Sequence, residues 1–346
     1  MYSTERRRVV LDIKNLLPDP FRMKEFSRQF EEIKEHIDRA NRILIISHQK
    51  PDGDTLGAAL GLSHFLDSLG KQHTCFCIHK VPQHFGYLPK IETFTSDHEW
   101  IKRHHYDLVC VLDSGDLVYA GVEDLIKDLQ VHKPIIINID HHPTNTRFGH
   151  TNLVHEQASS TSEIIFHFLD YHRHPISQEV ATCLLTGIIT DTGIFSNLAT
   201  TSSSLEAAAK LLGYGARLKN IMLYTMRNTP LTHLQLWGKA LSRLKENPET
   251  GIVTTAITVK DFEELGIEDE ATEGIANFLN TLRKTKMVMV FKESEKGKIK
   301  VSLRTTDPYI NVATLAKAFG GGGHKKAAGF SIEASLIETE NGWDIE

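Results

Sequence analysis

Pro134-Ile135-Ile136-Ile137-Asn138-Ile139-Asp140-His141-His142 is a short, nearly unbroken apolar run that ends on one carboxylate and two imidazoles. A run of this kind, opened by proline and too short for a helix, predicts a strand covered on both faces, as in a parallel sheet. The same grammar occurs at three other places. Residues 43–47 lead into His48-Gln49-Lys50-Pro51-Asp52-Gly53-Asp54, residues 108–112 lead into Asp113, and residues 184–190 lead into Asp191. Between these runs lie helical patterns. One carries Phe26, Phe30, Ile33 and Ile37 at steps of three and four, and another spans 55–68 and stops at Gly70. Others are expected at about 177–190 and from Ser202 to Leu212, with a further strand at 74–78. Alternating strand and helix predicts the α/β class, with a parallel sheet and crossover helices.

With 346 residues, the chain exceeds what one core usually supports, so two domains are expected. The first is placed at 1–212, with a polar arm at 1–24, followed by a connection at 213–232. A smaller α/β domain is placed at 233–346, with a tail at 336–346, and the two are expected to enclose a cleft. Its pattern predicts a helix at 233–245, a strand at 252–259 and a helix with Ile275, Phe278, Leu279 and Leu282 on one face. A hairpin at 287–304 and a helix at 311–319 follow, and then Gly320-Gly321-Gly322-Gly323-His324.

A net charge of −5 leaves no global basic field, which argues against a long duplex nucleic acid as partner. Cys75, Cys77, Cys110 and Cys183 lack zinc or redox spacing and read as small buried hydrophobes. No apolar stretch reaches membrane-spanning length, and Arg6-Arg7-Arg8 precedes no secretory segment, so a cytoplasmic protein is expected.

In an open parallel sheet, ligands gather beyond the carboxyl ends of the strands. His48, Asp52, Asp54, Asp113, Asp140, His141 and His142 all fall there, and Asp191 follows a helix. The set is rich in carboxylate with a few imidazoles, which suits Mn²⁺ or Mg²⁺ rather than a thiolate zinc site. Two such ions about 3.5–4 Å apart clamp both oxygens of an in-line phosphoryl displacement. Each element also has a plainer reading. The His48–Asp54 segment fits a turn that caps a helix, His141 and His142 a surface pair, Asp113 or Asp116 a strand-end cap, and Asp191 a turn. Recurrence at successive strand ends favours the metal reading. In the second domain, the glycine run beside Lys325 and Lys326 fits either a phosphate nest or a flexible loop. Arg304 fits a phosphate fork or a surface ion pair. Phe85, Tyr87 and Tyr309 could stack a base, although packing is the plainer role.

Over about residues 25–333 the chain resembles the DHH-family phosphoesterases that carry a DHHA1 domain. The resemblance rests on His48-Gln49-Lys50-Pro51-Asp52-Gly53-Asp54-Thr55-Leu56-Gly57, Leu112-Asp113-Ser114-Gly115-Asp116 and Ile139-Asp140-His141-His142-Pro143-Thr144-Asn145. Ser160-Thr161-Ser162-Glu163, Thr186 to Gly193, the glycine run and Ala327-Ala328-Gly329 complete it. It is closest to the branch that degrades oligoribonucleotides of a few residues and dephosphorylates 3′-phosphoadenosine 5′-phosphate. The resemblance implies two Mn²⁺ ions, replaceable by Mg²⁺ or Co²⁺, one on His48 and Asp52 and one on Asp54, His141 and Asp191, with Asp113 bridging. It implies further that His142 faces the scissile phosphate, that Asp140 orients an imidazole, and that Arg304, Gly321, Gly322, Gly323 and His324 hold a short RNA or a nucleotide. A homodimer is implied as well. Ala58 and Thr305 stand where the family often has serine, which leaves substrate preference more open than chemistry. The alternatives are a linear or cyclic dinucleotide phosphodiesterase and a noncatalytic nucleotide-binding protein. The second would be expected to lack a ligand carboxylate, and none is missing. A DHHA2-type pyrophosphatase is disfavoured by the glycine run, and a processive nuclease would be longer.

Overall fold

The computed structural model describes residues 23–226, 230–267, 272, 274–295, 297–339 and 342–345. The chain divides into two compact units, Met1–Asn228 and Thr229–Glu346.

The first unit is built on six strands: β1 (Arg42–Ile46), β2 (Gln72–Phe76), β3 (Phe94–Thr95), β4 (Leu108–Leu112), β5 (Ile135–Asp140) and β6 (Thr151–Val154). They pair in the order β3-β2-β1-β4-β5-β6, every pair parallel. The helices are α1 (Met23–Arg39), α2 (Gly53–Ser68), α3 (His98–Lys102), α4 (Leu117–Ala120), α5 (Glu123–Leu129), α6 (Thr161–Tyr171), α7 (Gln178–Asp191), α8 (Ser202–Gly213) and α9 (Leu218–Met226).

Both faces of the sheet are covered, as the continuous apolar runs require. Ile43, Ile45, Cys110, Leu112, Ile137 and Ile139 pack with Phe30, Ile33, Phe65, Phe168 and Leu184. On the other face Leu44, Ile46, Val109 and Val111 pack with Tyr106, Leu125 and Ile126. All four cysteines are buried and free.

Several elements differ from the sequence reading. Helix α2 begins at Gly53 rather than at residue 55, because the Asp52 side chain accepts the N–H groups of Asp54 and Thr55 as its N-cap. Edge strands β3 and β6 were not expected; their short, partly polar sequences carry no clear alternation. The connection expected at 213–232 holds α9, whose Ile221 is fully buried in the first unit's core. Tyr224 of the same helix stacks on Tyr87 with ring centres 5.0 Å apart.

Helices α2 and α7 approach so closely that a Cβ on Gly57 would stand 2.4 Å from the Cys183 carbonyl oxygen. One on Gly187 would stand 2.6 Å from Asp54 Oδ1. This contact sets the first turn of α2, with Asp54, beside the last turns of α7, which end on Asp191.

The second unit has a mixed sheet of β7 (Lys245–Asn247), β8 (Ile252–Ile257), β9 (Met287–Glu295), β10 (Lys298–Arg304), β11 (Gly322–His324) and β12 (Ala327–Glu333). The order is β11-β12-β10-β9-β8-β7, antiparallel except between β8 and β9. Its helices are α10 (Leu231–Ser242), α11 (Val259–Leu265), α12 (Ile275–Leu279) and α13 (Val312–Ala318). Helix α10 ends before residue 245, where β7 begins, and Phe278 and Leu282 are exposed rather than inward. The segment expected as a tail forms a hairpin of β13 (Leu336–Thr339) and β14 (Gly342–Ile345). Its Trp343 ring lies under the Arg243 guanidinium at 5.1 Å. Among the described residues, no helix is long and apolar enough to cross a membrane.

Candidate active site

The carboxyl ends of β1, β4 and β5 lie side by side, since Ile46 pairs with Val111 and Leu112 with Ile139. The chain leaves β1 through Ser47 to His48, leaves β4 into Asp113, and leaves β5 at Asp140 into His141 and His142. Asp113 turns the chain with φ of 58°, a left-handed conformation that aspartate tolerates better than most residues. Its N–H donates to the Ile139 carbonyl, and its carboxylate is buried.

Three donor groups result: His48, Asp52 and Asp113; Asp54, His141 and Asp191; and Asp113, Asp140, His141 and His142. Within each, one ligand atom per residue lies within 4.8 Å of the others. His48 Nε2 stands 3.5 Å from Asp113 Oδ2 and 3.7 Å from Asp52 Oδ2. His141 Nε2 stands 3.5 Å from Asp113 Oδ1 and 3.2 Å from Asp191 Oδ2. Most of these separations are long for hydrogen bonds. They approach the spacing of two donors that share one ion, about 3.0–3.5 Å when each bond is about 2.1 Å.

The electrostatics fit added positive charge. Burial, then the charges of Asp113 and Asp52, push the Asp54 carboxyl well above its ordinary range. Burial, then Asp54, Asp113, Asp52 and Asp140, do the same to Asp191. Burial opposes the charged form of His48, yet Asp113 and Asp52 outweigh it and raise that imidazole to about 10. Asp113 is held low despite burial, by the adjacent His48 and the charges of His141 and His142. The raised carboxyls and the raised His48 mark a cluster that favours added protons, which divalent cations would replace. Burial lowers His141, favouring the neutral form that ligates metals.

Asp140 is fully buried and serves its neighbours. Its Oδ1 accepts the His141 N–H at 2.8 Å and pairs with His142 Nδ1 at 2.7 Å, and its Oδ2 accepts from Asn145 Nδ2 at 2.6 Å. Asp116 takes the capping role considered for Asp113, accepting the Tyr119 N–H at the start of α4.

Ser160-Thr161-Ser162-Glu163 has the local form of a capping box, and the structure shows more. Ser160 caps α6, but Glu163 bonds to Ser159 rather than back to Ser160. The N–H groups of Thr161 and Ser162 donate to the two oxygens of Asp54 at 2.6 and 2.8 Å, and the Thr161 hydroxyl donates to Asp113 Oδ1 at 3.1 Å. The available signal was the motif's recurrence in the family; its local pattern spoke only of a cap.

In the second unit, the Arg304 Nε donates to Asn277 Oδ1 at 2.7 Å and its Nη1 to the Leu303 carbonyl. The N–H groups of Gly320 and Gly321 are taken by Lys317 and Ala316, so the glycine run is not a free nest throughout. A Cβ on Gly321 would stand 2.2 Å from the Gly329 carbonyl oxygen, and one on Gly323 2.5 Å from Ala328 Cα. Packing requires glycine at both. At Gly322 a Cβ would meet nothing within 4 Å. The Lys326 ammonium is engaged by the carbonyls of Asp307 and Ile310, and the His324 side chain lies outside the described residues. Of the aromatic side chains considered for stacking, Phe85 is buried and Tyr87 is engaged with Tyr224 and Thr186, while Tyr309 is exposed.

Comparison with known proteins agrees with this architecture. The profile of the DHH family, N-terminal domain, matches residues 42–188, and that of the DHHA1 domain matches residues 249–341. The chain is 32% identical over 296 residues to a bifunctional oligoribonuclease and PAP phosphatase NrnA of Thermus thermophilus, covering 84% of each chain. It is 25% identical to a cyclic-di-AMP phosphodiesterase GdpP of Geobacillus thermodenitrificans, over 84% of this chain and 45% of that one. An exopolyphosphatase-related protein of Bacteroides fragilis has a similar structure, with a TM-score of 0.80, 26% identity, and coverage of 88% of this chain and 91% of that one. Strand ends that deliver histidines and aspartates to one cluster, and matches that run through both units, make this chain a member of the DHH family with a DHHA1 domain.

Proposed function

We propose that the chain is a two-metal phosphoesterase that hydrolyses short oligoribonucleotides and 3′-phosphoadenosine 5′-phosphate. The observation that carries this reading is the Asp113 carboxylate. One of its oxygens lies near His48 and the other near His141, so a single side chain approaches a donor of each proposed ion. His48 and Asp52 would hold one ion and Asp54, His141 and Asp191 the other, with Mn²⁺ the proposed metal. Bound there, a pair of divalent ions would activate water and offset charge on the phosphoryl oxygens. The chain's own residues do the rest. Thr161 and Ser162 hold Asp54 in place, and Asp140 fixes His142 by its Nδ1, which leaves the other ring nitrogen to meet a phosphate oxygen. In the second unit, Arg304, set by Asn277, and the backbone at Gly322, where packing does not demand glycine, are the groups proposed to hold a substrate phosphate.

The name of the Thermus relative supports this substrate class. The Geobacillus relative supports a second reading, a cyclic dinucleotide phosphodiesterase, although this chain spans about half of that protein's length. Phosphate and nucleotide release should be measured on RNA of two to five nucleotides, on 3′-phosphoadenosine 5′-phosphate and on cyclic di-AMP, each with Mn²⁺ and with chelator. The proposal expects Mn²⁺-dependent turnover of the first two. Turnover of the cyclic substrate alone would favour the second reading, and turnover of none would sink both.

A further inference from the structure

Tyr119 is a large aromatic residue placed beside the donor cluster, and nothing in the scheme above uses it. Its ring centre lies 5.5 Å from that of His48 and 6.3 Å from that of His142, tilted by 48° and 55°. Even so, 51% of the residue is exposed to solvent. It is not exposed for want of structure. Helix α4 is a single turn held at its start by Asp116, which accepts the Tyr119 N–H, and at its end by Gly121 in a left-handed conformation. Ala120 anchors the turn in the core. The preceding segment is tied down as well, since the Ser114 hydroxyl donates to the Asp116 carbonyl and Asn145 Nδ2 donates to the Ser114 carbonyl. A rigid turn therefore presents an aromatic surface to water next to one imidazole proposed to hold metal and one proposed to meet phosphate.

Resting on the phosphoesterase reading, we infer that the Tyr119 ring is a stacking platform for the nucleobase adjoining the scissile phosphate. A preorganised aromatic ring gains from every base, since each has a π-face, and it needs no hydrogen-bond code. Such a platform selects nucleotides over simpler phosphoesters without strong sequence preference. The feature that stacks is the ring, and the hydroxyl is dispensable.

The test compares the wild type, Tyr119→Ala and Tyr119→Phe in Mn²⁺. One readout is the ratio of kcat/KM on a diribonucleotide to kcat/KM on its doubly abasic analogue, which keeps the phosphodiester and has no π-face. The ratio is expected to fall roughly ten-fold or more in Tyr119→Ala, mainly through KM, and to be restored by Tyr119→Phe. An unchanged ratio in Tyr119→Ala, or an equal fall in Tyr119→Phe, overturns the platform. A second readout, adenosine 5′-monophosphate affinity by calorimetry, separates this inference from the reading beneath it. If the wild type turns over no substrate yet loses nucleotide affinity on Tyr119→Ala, the chemistry fails and the platform stands. Equal affinity in the wild type and Tyr119→Ala overturns the platform whatever the turnover.

Discussion

At Asp113 the backbone and the side chain make separate demands. The φ of 58° favours a short polar residue, and the two donor sets near its oxygens call for a charge that can be shared. Asp113→Asn keeps the first and removes the second. Its circular dichroism and cooperative melting should persist, because asparagine tolerates the left-handed region as well as aspartate does. Its Mn²⁺ affinity should fall at least about 100-fold, and turnover roughly 10³-fold, since metal charge stabilisation is worth several kcal/mol. Calorimetric titration and initial rates check this; near-normal metal affinity in the variant would remove the shared role. The candidate donors were legible in the sequence because each lies in a short segment that follows a strand run or ends a helix. Thr161 and Ser162 were not, because a pattern local to 160–163 shows how a helix starts and is silent about Asp54, more than a hundred positions away.

Elements carry the next constraint, in the contact between α2 and α7. Gly57 faces a backbone carbonyl that cannot swing aside, so the Cβ of Gly57→Ala forces the helices apart. The expected cost is about 1–3 kcal/mol, and it should come with lost turnover because Asp54 and Asp191 ride on the two separating helices. Gly213→Ala is the control, since a Cβ there meets nothing within 4 Å; it should leave melting unchanged or raise it slightly. Chemical denaturation of both variants decides the matter, and equal stability would refute the packing argument. Helix periodicity predicted both helices, but a glycine inside an apolar helix does not disclose which neighbour it admits. The same limit explains the edge strands. Continuous apolar runs marked β1, β4 and β5, whereas Thr151-Asn152-Leu153-Val154 becomes a strand by pairing with β5. It also explains α9, whose Ile221 finds its place in a core formed by residues far upstream.

For the molecule as a whole, the two units divide the proposed labour unevenly. All the proposed metal donors belong to the first unit, and each unit has buried clusters of its own. Metal should therefore stabilise by mass action where it binds, by about 2.7 kcal/mol when free ion reaches roughly 100 times its dissociation constant. Burial and mutual repulsion raise Asp54 and Asp191, so the metal-free cluster is an arrangement its own charges oppose, and added cations relieve that opposition. Hydrogen exchange followed by mass spectrometry should show Mn²⁺ slowing exchange at 47–56, 112–116, 139–145, 159–163 and 188–193, the segments that carry or support the donors. Exchange in β8, β9 and β10 should stay unchanged, because no proposed donor lies on them. Protection spread evenly over both units, or confined to the second, would mean that the ion acts somewhere other than the strand ends, and the assignment of donors would have to be abandoned.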